Sequence, residues 1–444
     1  MMNTPIKRFT DEYSEKNMIR AHMPGHKGVG ENHYLYDITE IAGADSLFEA
    51  DSIILESERN ASALYGSGFT YYSAGGSTLC ICTMLALLVM KNRCRKVVAA
   101  RNCHRAFLNA CIMLDIEPVW VYPEYENTLI SGNVSPSAVE KAICEAGEAA
   151  CVYITSPDYL GRCYAIDEIS AVCRQYHVPL AVDNAHGAYL RFIDEGGISC
   201  HPLFHGADIC CDSAHKTLPV LTGGAYLHIS RDYLPMVNAD VKEIMSMFGS
   251  TSPSYLILRS LDSCNAFLEN EAREYFDKMR SASDELKKSL ANAWHIEPAE
   301  CGKLTVYAPP SGMTGIQLAA QLRERGVECE YADNTHTVMM LTGLSAEQIH
   351  QIGRVMETIP QPRIIVPTIE AAGFGQLERA LSIREAAFAA DEEIPVDKAE
   401  GRICSRAVSC CPPGIAVVVG GEIFSAESIN ILKNYSIFNV NVVK

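Results

Sequence analysis

From Lys96 onward, short apolar runs alternate with segments whose apolar residues recur at helical spacing. Val97-Val-Ala-Ala100, Pro118-Val-Trp-Val-Tyr122 and Ala150-Cys-Val-Tyr-Ile154 read as strands. Ala106 to Leu114 reads as a helix, as do the segments that open at Ser135 and Asp167 with capping residues. Two more apolar runs follow, Pro179 to Val182 and the one that ends just before Ser213. Strands this short and this apolar, separated by helices, predict an α/β fold with a mainly parallel sheet covered on both faces. In such a sheet ligands bind beyond the carboxyl ends of the strands.

The flanking regions read differently. The first sixty residues predict an extended arm, with a Pro24-Gly25 turn between His22 and His26, and then a helix from Asp51 to Tyr65 stopped by Gly66. Thr70 to Ser73 reads as a strand and Leu79 to Met90 as an apolar helix. The Gly-Gly-Ser-Thr turn between them offers free backbone N–H groups and two hydroxyls where an anion can sit. Beyond Pro219 come a returning strand, Tyr226 to Ile229, a helix start near Thr251 to Tyr255, and one long amphipathic helix from Ala266 to Trp294 that would bridge two domains. Leu304 to Ile359 alternates strand and helix on a small scale, and a Pro-punctuated tail from Gln361 carries a helix, Ile369 to Arg379. The expected division is an arm and helix over 1–65, a large domain over 66–265, a bridging helix and small α+β domain over 266–360, and a C-terminal domain over 361–444.

Composition narrows the function. A chain of 444 residues with 48% hydrophobic and 20% charged residues suggests two or three globular domains. Its formal net charge of −17 argues against nucleic acid or an anionic membrane as partner. No apolar run reaches the roughly 18 to 20 residues of a bilayer span, and the N-terminal residues lack the apolar core of a signal peptide, so a cytoplasmic protein is expected. The 18 cysteines are scattered or adjacent rather than spaced as C-x-x-C pairs, which predicts reduced thiols and no metal site.

The polar residues that follow the apolar runs are His104, Thr155, Asp183, His186, Ser213, His215 and Lys216. Their coincidence at the ligand-binding ends of predicted strands points to a single site. A carboxylate at one strand end and an amine at the next are what pyridoxal 5'-phosphate requires: an acceptor that keeps its ring nitrogen protonated, and an amine that forms the Schiff base.

The residues also carry a resemblance. HMPGHKG at His22 to Gly28, GST at Gly76 to Thr78, NCHRA at Asn102 to Ala106, TSPDYLG at Thr155 to Gly161, VDNAHGA at Val182 to Ala188, SAHKTLP at Ser213 to Pro219, TSPSYLILRSLD at Thr251 to Asp262 and PPGI at Pro412 to Ile415 occur in this order. Together the blocks resemble the ornithine/lysine/arginine decarboxylase family in its short form, without an amino-terminal wing domain. The resemblance implies the aspartate-aminotransferase-like fold of pyridoxal-phosphate enzymes and decarboxylation of a basic amino acid. Arginine, giving agmatine and CO2, is favoured on family analogy, with lysine and ornithine open.

The resemblance further implies that Lys216 holds the cofactor, Asp183 pairs with its ring nitrogen, His104 stacks on its face and His186 lies close by. Ser77, Thr78, Ser213 and His215 would hold the phosphate, with Thr251 and Ser252 reaching it from the partner subunit of a homodimer; a higher oligomer is left open. Glu330, in Gly326-Val-Glu-Cys-Glu330, is the implied acceptor for the distal cation of the substrate. Departures from the family pattern fall at Ser73 to Ile81, at Thr222-Gly-Gly224 and at Cys410-Cys411. Other readings that remain are a different pyridoxal-phosphate reaction, such as a carbon–sulfur lyase or aminotransferase, and a non-catalytic cofactor-binding paralogue.

Overall fold

A computed structural model describes residues 2–16, 18–125, 128–362, 366, 375–410 and 414–444. The chain forms two compact units, Met1–Cys94 with Cys173–Phe276, and Arg95–Val172 with Asp277–Lys444. The strands that carry the predicted site are, in chain order, β1 (Phe69–Ser73), β2 (Lys96–Ala100), β3 (Glu117–Val121), β4 (Val152–Thr155), β5 (Leu180–Asp183), β6 (Ile209–Asp212) and β7 (Ala225–Ile229).

In the first unit β5 and β6 run parallel, and β7 lies antiparallel between β6 and β1. All four residues of β5 and of β6 are buried, which is why each reads as three apolar residues in a row closed by an Asp rather than as an alternating strand. The helix Gly76–Asn92 buries every residue from Leu79 to Leu88 and is apolar all round, as a fully enclosed helix must be. The helix Ile53–Tyr65 ends at Gly66 with φ 68°, the left-handed cap expected there.

In the second unit β2 pairs in parallel with both β3 and β4. Parallel pairs thus outnumber antiparallel ones among the site-bearing strands, as an α/β fold of this class requires. The same unit contains an antiparallel four-stranded sheet that includes Lys303–Tyr307 and His336–Met340, accompanied by the helices Gly315–Glu324 and Ala346–Glu357. This is the small α+β region. A separate C-terminal core gathers Val417, Val418, Phe424, Leu432, Val440 and Val442 around the helix Ala426–Asn434 and paired short strands.

Three expectations need correction. Residues expected as an extended arm include a helix, Pro5–Glu15, started by Pro5 in its first turn, with Ile6, Thr10 and Tyr13 along one buried face. The single long helix expected from Ala266 to Trp294 is two helices, Tyr255–Asn270 and Ala272–Leu290. They part at Glu271, whose φ of −126° leaves the helical range. In the tail, most of the helix expected over Ile369 to Arg379 lies outside the described residues, and Arg379 forms an isolated antiparallel bridge with Glu422. Cys411, Pro412 and Pro413 also lie outside the described residues.

Candidate active site

β5 delivers Asp183 as its last residue, and β6 ends one residue before Ser213. The parallel register sets Cys211 opposite Asp183, so the two strand ends lie side by side. The Asp183 side chain is 1% exposed; its Oδ1 accepts the backbone N–H of Ala185 at 3.2 Å and faces the Cys211 thiol at 3.7 Å. Past β6 the chain turns into the one-turn helix Ala214–Thr217, which carries His215 and Lys216. Lys216 is half-buried, with Nζ 3.1 Å from His186 Nε2. An ammonium can only donate, so in this arrangement Nε2 accepts and the imidazole proton resides on Nδ1.

The hydroxyl groups converge on the opening turn of Gly76–Asn92. Ser213 Oγ donates to Ser77 Oγ at 2.8 Å, and Thr78 is exposed one residue further on. The turn is pinned by Gly76 N–H to the carbonyl of Gly223 at 2.8 Å, while the Gly224 carbonyl accepts from the backbone N–H of His215 at 3.1 Å and lies 3.0 Å from His215 Nδ1. These contacts give the departure at Thr222-Gly-Gly224 a physical reason. A Cβ on Gly224 would sit 2.4 Å from Val220 Cγ1, and Gly223 has φ +98°. The loop contributes carbonyls at close range where side chains would not fit. Thr251 and Ser252 lie on an exposed segment ahead of the helix Tyr255–Asn270, with Ser252 N–H bonded to Ser250 Oγ.

Lys216, His186, Asp183, Ser213, His215, Ser77, Thr78, Thr251 and Ser252 all belong to the first unit, whereas His104 and Glu330 belong to the second. His104 caps the helix Arg105–Leu114, its Nδ1 accepting the Ala106 N–H at 3.1 Å. Gly414, with φ +79°, packs close enough to the exposed His104 ring that a Cβ there would lie 3.7 Å from Nε2. Thr155 ends β4, and its Oγ1 is buried with no hydrogen-bond partner among the described residues. Glu330 is exposed ahead of Tyr331, and its Oε1 accepts from the Tyr159 hydroxyl at 3.3 Å. Tyr159 is itself set edge-on against Tyr331, 5.2 Å between ring centres.

The donor set fits a pyridoxal phosphate: one half-buried amine beside an imidazole, one carboxylate excluded from water at the neighbouring strand end, and hydroxyls at a helix start that suit an anion. Thr217 Oγ1, next to Lys216 in sequence, is likewise buried without a hydrogen-bond partner among the described residues.

Behind these residues lies a group of polar side chains not recognised in the sequence. Asp212, fully buried, accepts from His201 Nε2 at 3.0 Å, from His228 Nε2 at 3.2 Å and from Asn184 Nδ2 at 2.7 Å. Burial alone would raise the Asp212 pKa, but the two imidazoles outweigh it and hold the carboxyl well below its usual range. Burial lowers the His228 pKa, with Asp212 only partly opposing it. The available signal was two polar residues, Asp212 and His228, inside otherwise apolar strands.

Residues 4–310 match the family described as Orn/Lys/Arg decarboxylase, major domain, and residues 377–440 match its C-terminal domain. An arginine decarboxylase of Bacillus subtilis is 27% identical over 474 residues, covering 97% of this chain and 93% of the relative. An uncharacterized protein of the same organism, YaaO, is 28% identical, covering 96% and 93%. Among solved structures, the lysine decarboxylase LdcF of Francisella novicida superimposes with a TM-score of 0.80 at 16% identity, over 100% of this chain and 81% of that one. The likeness shows the fold. No helix among the described residues is long and apolar enough to cross a membrane.

Proposed function

The chain belongs to the Orn/Lys/Arg decarboxylase family, and from that premise we propose that it is a pyridoxal-phosphate enzyme that converts arginine to agmatine and CO2. The observation that carries the reading is the placement of Asp183 at the end of β5 and of Lys216 four residues beyond the end of the parallel neighbour β6, with His186 3.1 Å from the lysine amine. Support for arginine comes from relatives named arginine decarboxylase that align over nearly the whole chain at 26–27% identity.

In this reading Lys216 would anchor the cofactor through Nζ, Asp183 would keep its ring nitrogen protonated, and His104 would help hold the ring. Ser77, Thr78, Ser213 and His215 would hold its phosphate, joined by Thr251 and Ser252 of a second subunit. Bound pyridoxal phosphate supplies the electron sink for the pair left behind when CO2 departs. The chain's own groups then manage a single proton, because the carbon that loses CO2 must gain one. Displaced from the cofactor by the substrate amine, Lys216 Nζ would be free to hold a proton and pass it across the 3.1 Å to His186 Nε2. Glu330, oriented by Tyr159, takes the distal cation of the substrate. A guanidinium offers a planar fork of donors to a carboxylate, an ammonium only a point charge, and the site's preference between them fixes the substrate.

A cytoplasmic homodimer and the four-part division at residues 65, 265 and 360 complete the proposal. Exposed apolar side chains in and beside the His22 to Gly28 segment, with Ile19 at 95% and Val29 at 76%, fit coverage by a second subunit.

The test is a panel of arginine, lysine and ornithine assayed for CO2 and amine release with added pyridoxal phosphate, beside a Lys216→Ala variant. Agmatine from arginine, lost in the variant together with the visible absorbance of the bound cofactor, is the expected result. Keto acid, or pyruvate and sulfide, without CO2 would move the chain to another pyridoxal-phosphate reaction.

A further inference from the structure

Side chains alternate faces along a strand, and this alternation separates two groups at the ends of β5 and β6. Asp183 and Cys211 share one face, as their 3.7 Å approach confirms. Asn184 and Asp212 share the other, joined by the 2.7 Å hydrogen bond from Asn184 Nδ2. The residue after Asp183 is therefore tied to the residue before Ser213, on the reverse side of the sheet from the catalytic carboxylate. His186 and Lys216 stand two and four residues beyond the tie.

The tie is held rigidly. Leu203 N–H bonds His201 Nδ1 at 3.4 Å, which leaves the ring proton on Nε2 to be donated to Asp212. His228 Nδ1 lies 2.8 Å from the Thr70 hydroxyl, which in turn lies 2.8 Å from that of Ser67. Tyr65 covers both imidazoles, with ring centres 4.4 Å from His228 and 5.6 Å from His201. The Asn184 amide has one possible orientation: Nδ2 must face the carboxylate, and Oδ1, buried, finds no partner among the described residues. The backbone closes around the amide, with Gly187 N–H on the Asn184 carbonyl at 2.8 Å and no room for a Cβ at Gly187.

We propose that Asp212 is a positioning residue for the cofactor site: through Asn184 it fixes the spacing between the strand end that carries Asp183 and the one that leads into the helix of Lys216, and it adds a second buried negative charge behind Asp183. The inference rests on the pyridoxal-phosphate reading above. His201, Cys210 and Asp212 also present ligand atoms within 4.8 Å of one another, the spacing of a possible metal site. The hydrogen bonds at Nδ1 and Nε2 of His201 account for that side chain without a metal, and Cys210, buried with its thiol pKa pushed up by desolvation, is neutral.

The experiment compares wild type, Asp212→Asn and Asn184→Ala for pyridoxal-phosphate affinity, for the pH midpoint of the bound cofactor's visible band, and for bound zinc. Asp212→Asn keeps the shape and removes the charge. It is expected to bind the cofactor roughly 10-fold more weakly, the lower end for loss of a charged hydrogen bond, and to shift the band's midpoint to lower pH, because a nearby anion stabilises the protonated cofactor. Asn184→Ala keeps the charge and cuts the tie, so affinity should fall while the midpoint stays. It serves alone if Asp212→Asn does not fold. Wild-type affinity and midpoint in both variants would overturn the proposal, as would stoichiometric zinc in wild type that Asp212→Asn loses. Wild type that takes up no pyridoxal phosphate would instead overturn the cofactor reading, and this proposal with it.

Discussion

Arg101 and Glu422 form an ion pair at 3.0 Å with side chains only 2% and 3% exposed. Arg101 follows β2, three residues before His104, and Glu422 lies in the C-terminal region. The guanidinium also donates to the carbonyls of Ala416 at 2.6 Å and Val417 at 3.1 Å, and lies 5.2 Å from the Trp120 ring centre. Burial would lower the Arg101 pKa, but the facing carboxylate more than offsets this and raises it. Glu422→Ala leaves a buried cation without its counter-charge and should cost about 3 to 5 kcal/mol. Urea unfolding measures it; a loss below about 1 kcal/mol would mean that water reaches Arg101.

Acid should weaken the protein through the Asp212 group. The folded pKa of His228 lies below its ordinary value of 6.5 because burial disfavours the cation. As pH falls through about 6.5 the unfolded chain takes up a proton that the folded chain refuses, so stability declines from there downward. Asp212, whose pKa is lowered from 3.8, adds its own loss only below that value. Wild type should therefore lose more Tm than His228→Asn between about pH 7.5 and about pH 5.5. Equal losses would show that His228 titrates alike in both states.

Gly187 should not tolerate a methyl group. Its Cβ would lie 2.0 Å from Asn184 Oδ1 and 2.9 Å from Leu190 Cδ1. Gly187→Ala must displace the amide that ties β5 to β6, at about 1 to 3 kcal/mol for an overpacked site. Thermal unfolding together with cofactor titration would register both effects. An unchanged Tm would mean that the Asn184 side chain can move aside freely.

What could be read in the sequence was whatever depends on neighbours along the chain. Apolar runs ending in a polar residue located Asp183 and Ser213, a Gly after an amphipathic segment located the cap at Gly66, and polar residues around Gly76 located a helix start. What could not be read depends on pairing between distant segments. His228 reaches Asp212 because β7 lies antiparallel to β6, and His201 because a short turn folds back beneath Tyr65. The break at Glu271 leaves no mark in the hydrophobic pattern, because amphipathic spacing continues on both sides of it. The helix Pro5–Glu15 has too little apolar content to announce itself; its buried face is completed by Lys7 N–H bonding to Asp262 and by the Arg259–Asp11 ion pair.

Substrate choice should respond to Glu330. The side chain is exposed and accepts from Tyr159, whose own backbone carbonyl is held by the buried Lys303 ammonium at 3.1 Å. If this carboxylate receives the distal cation, Glu330→Gln removes a charged hydrogen bond worth about 1.5 to 3 kcal/mol, roughly 10- to 150-fold in kcat/KM. The distal group is remote from the reacting carbon and is bound alike in ground and transition states, so the loss should fall on KM with kcat nearly kept. Tyr159→Phe should give a smaller rise in KM in the same direction, because it frees Glu330 without removing the charge. Steady-state kinetics on the preferred amino acid separates the cases: a KM unchanged in Glu330→Gln would place substrate recognition elsewhere, and a fall in kcat alone would put Glu330 in the chemical step.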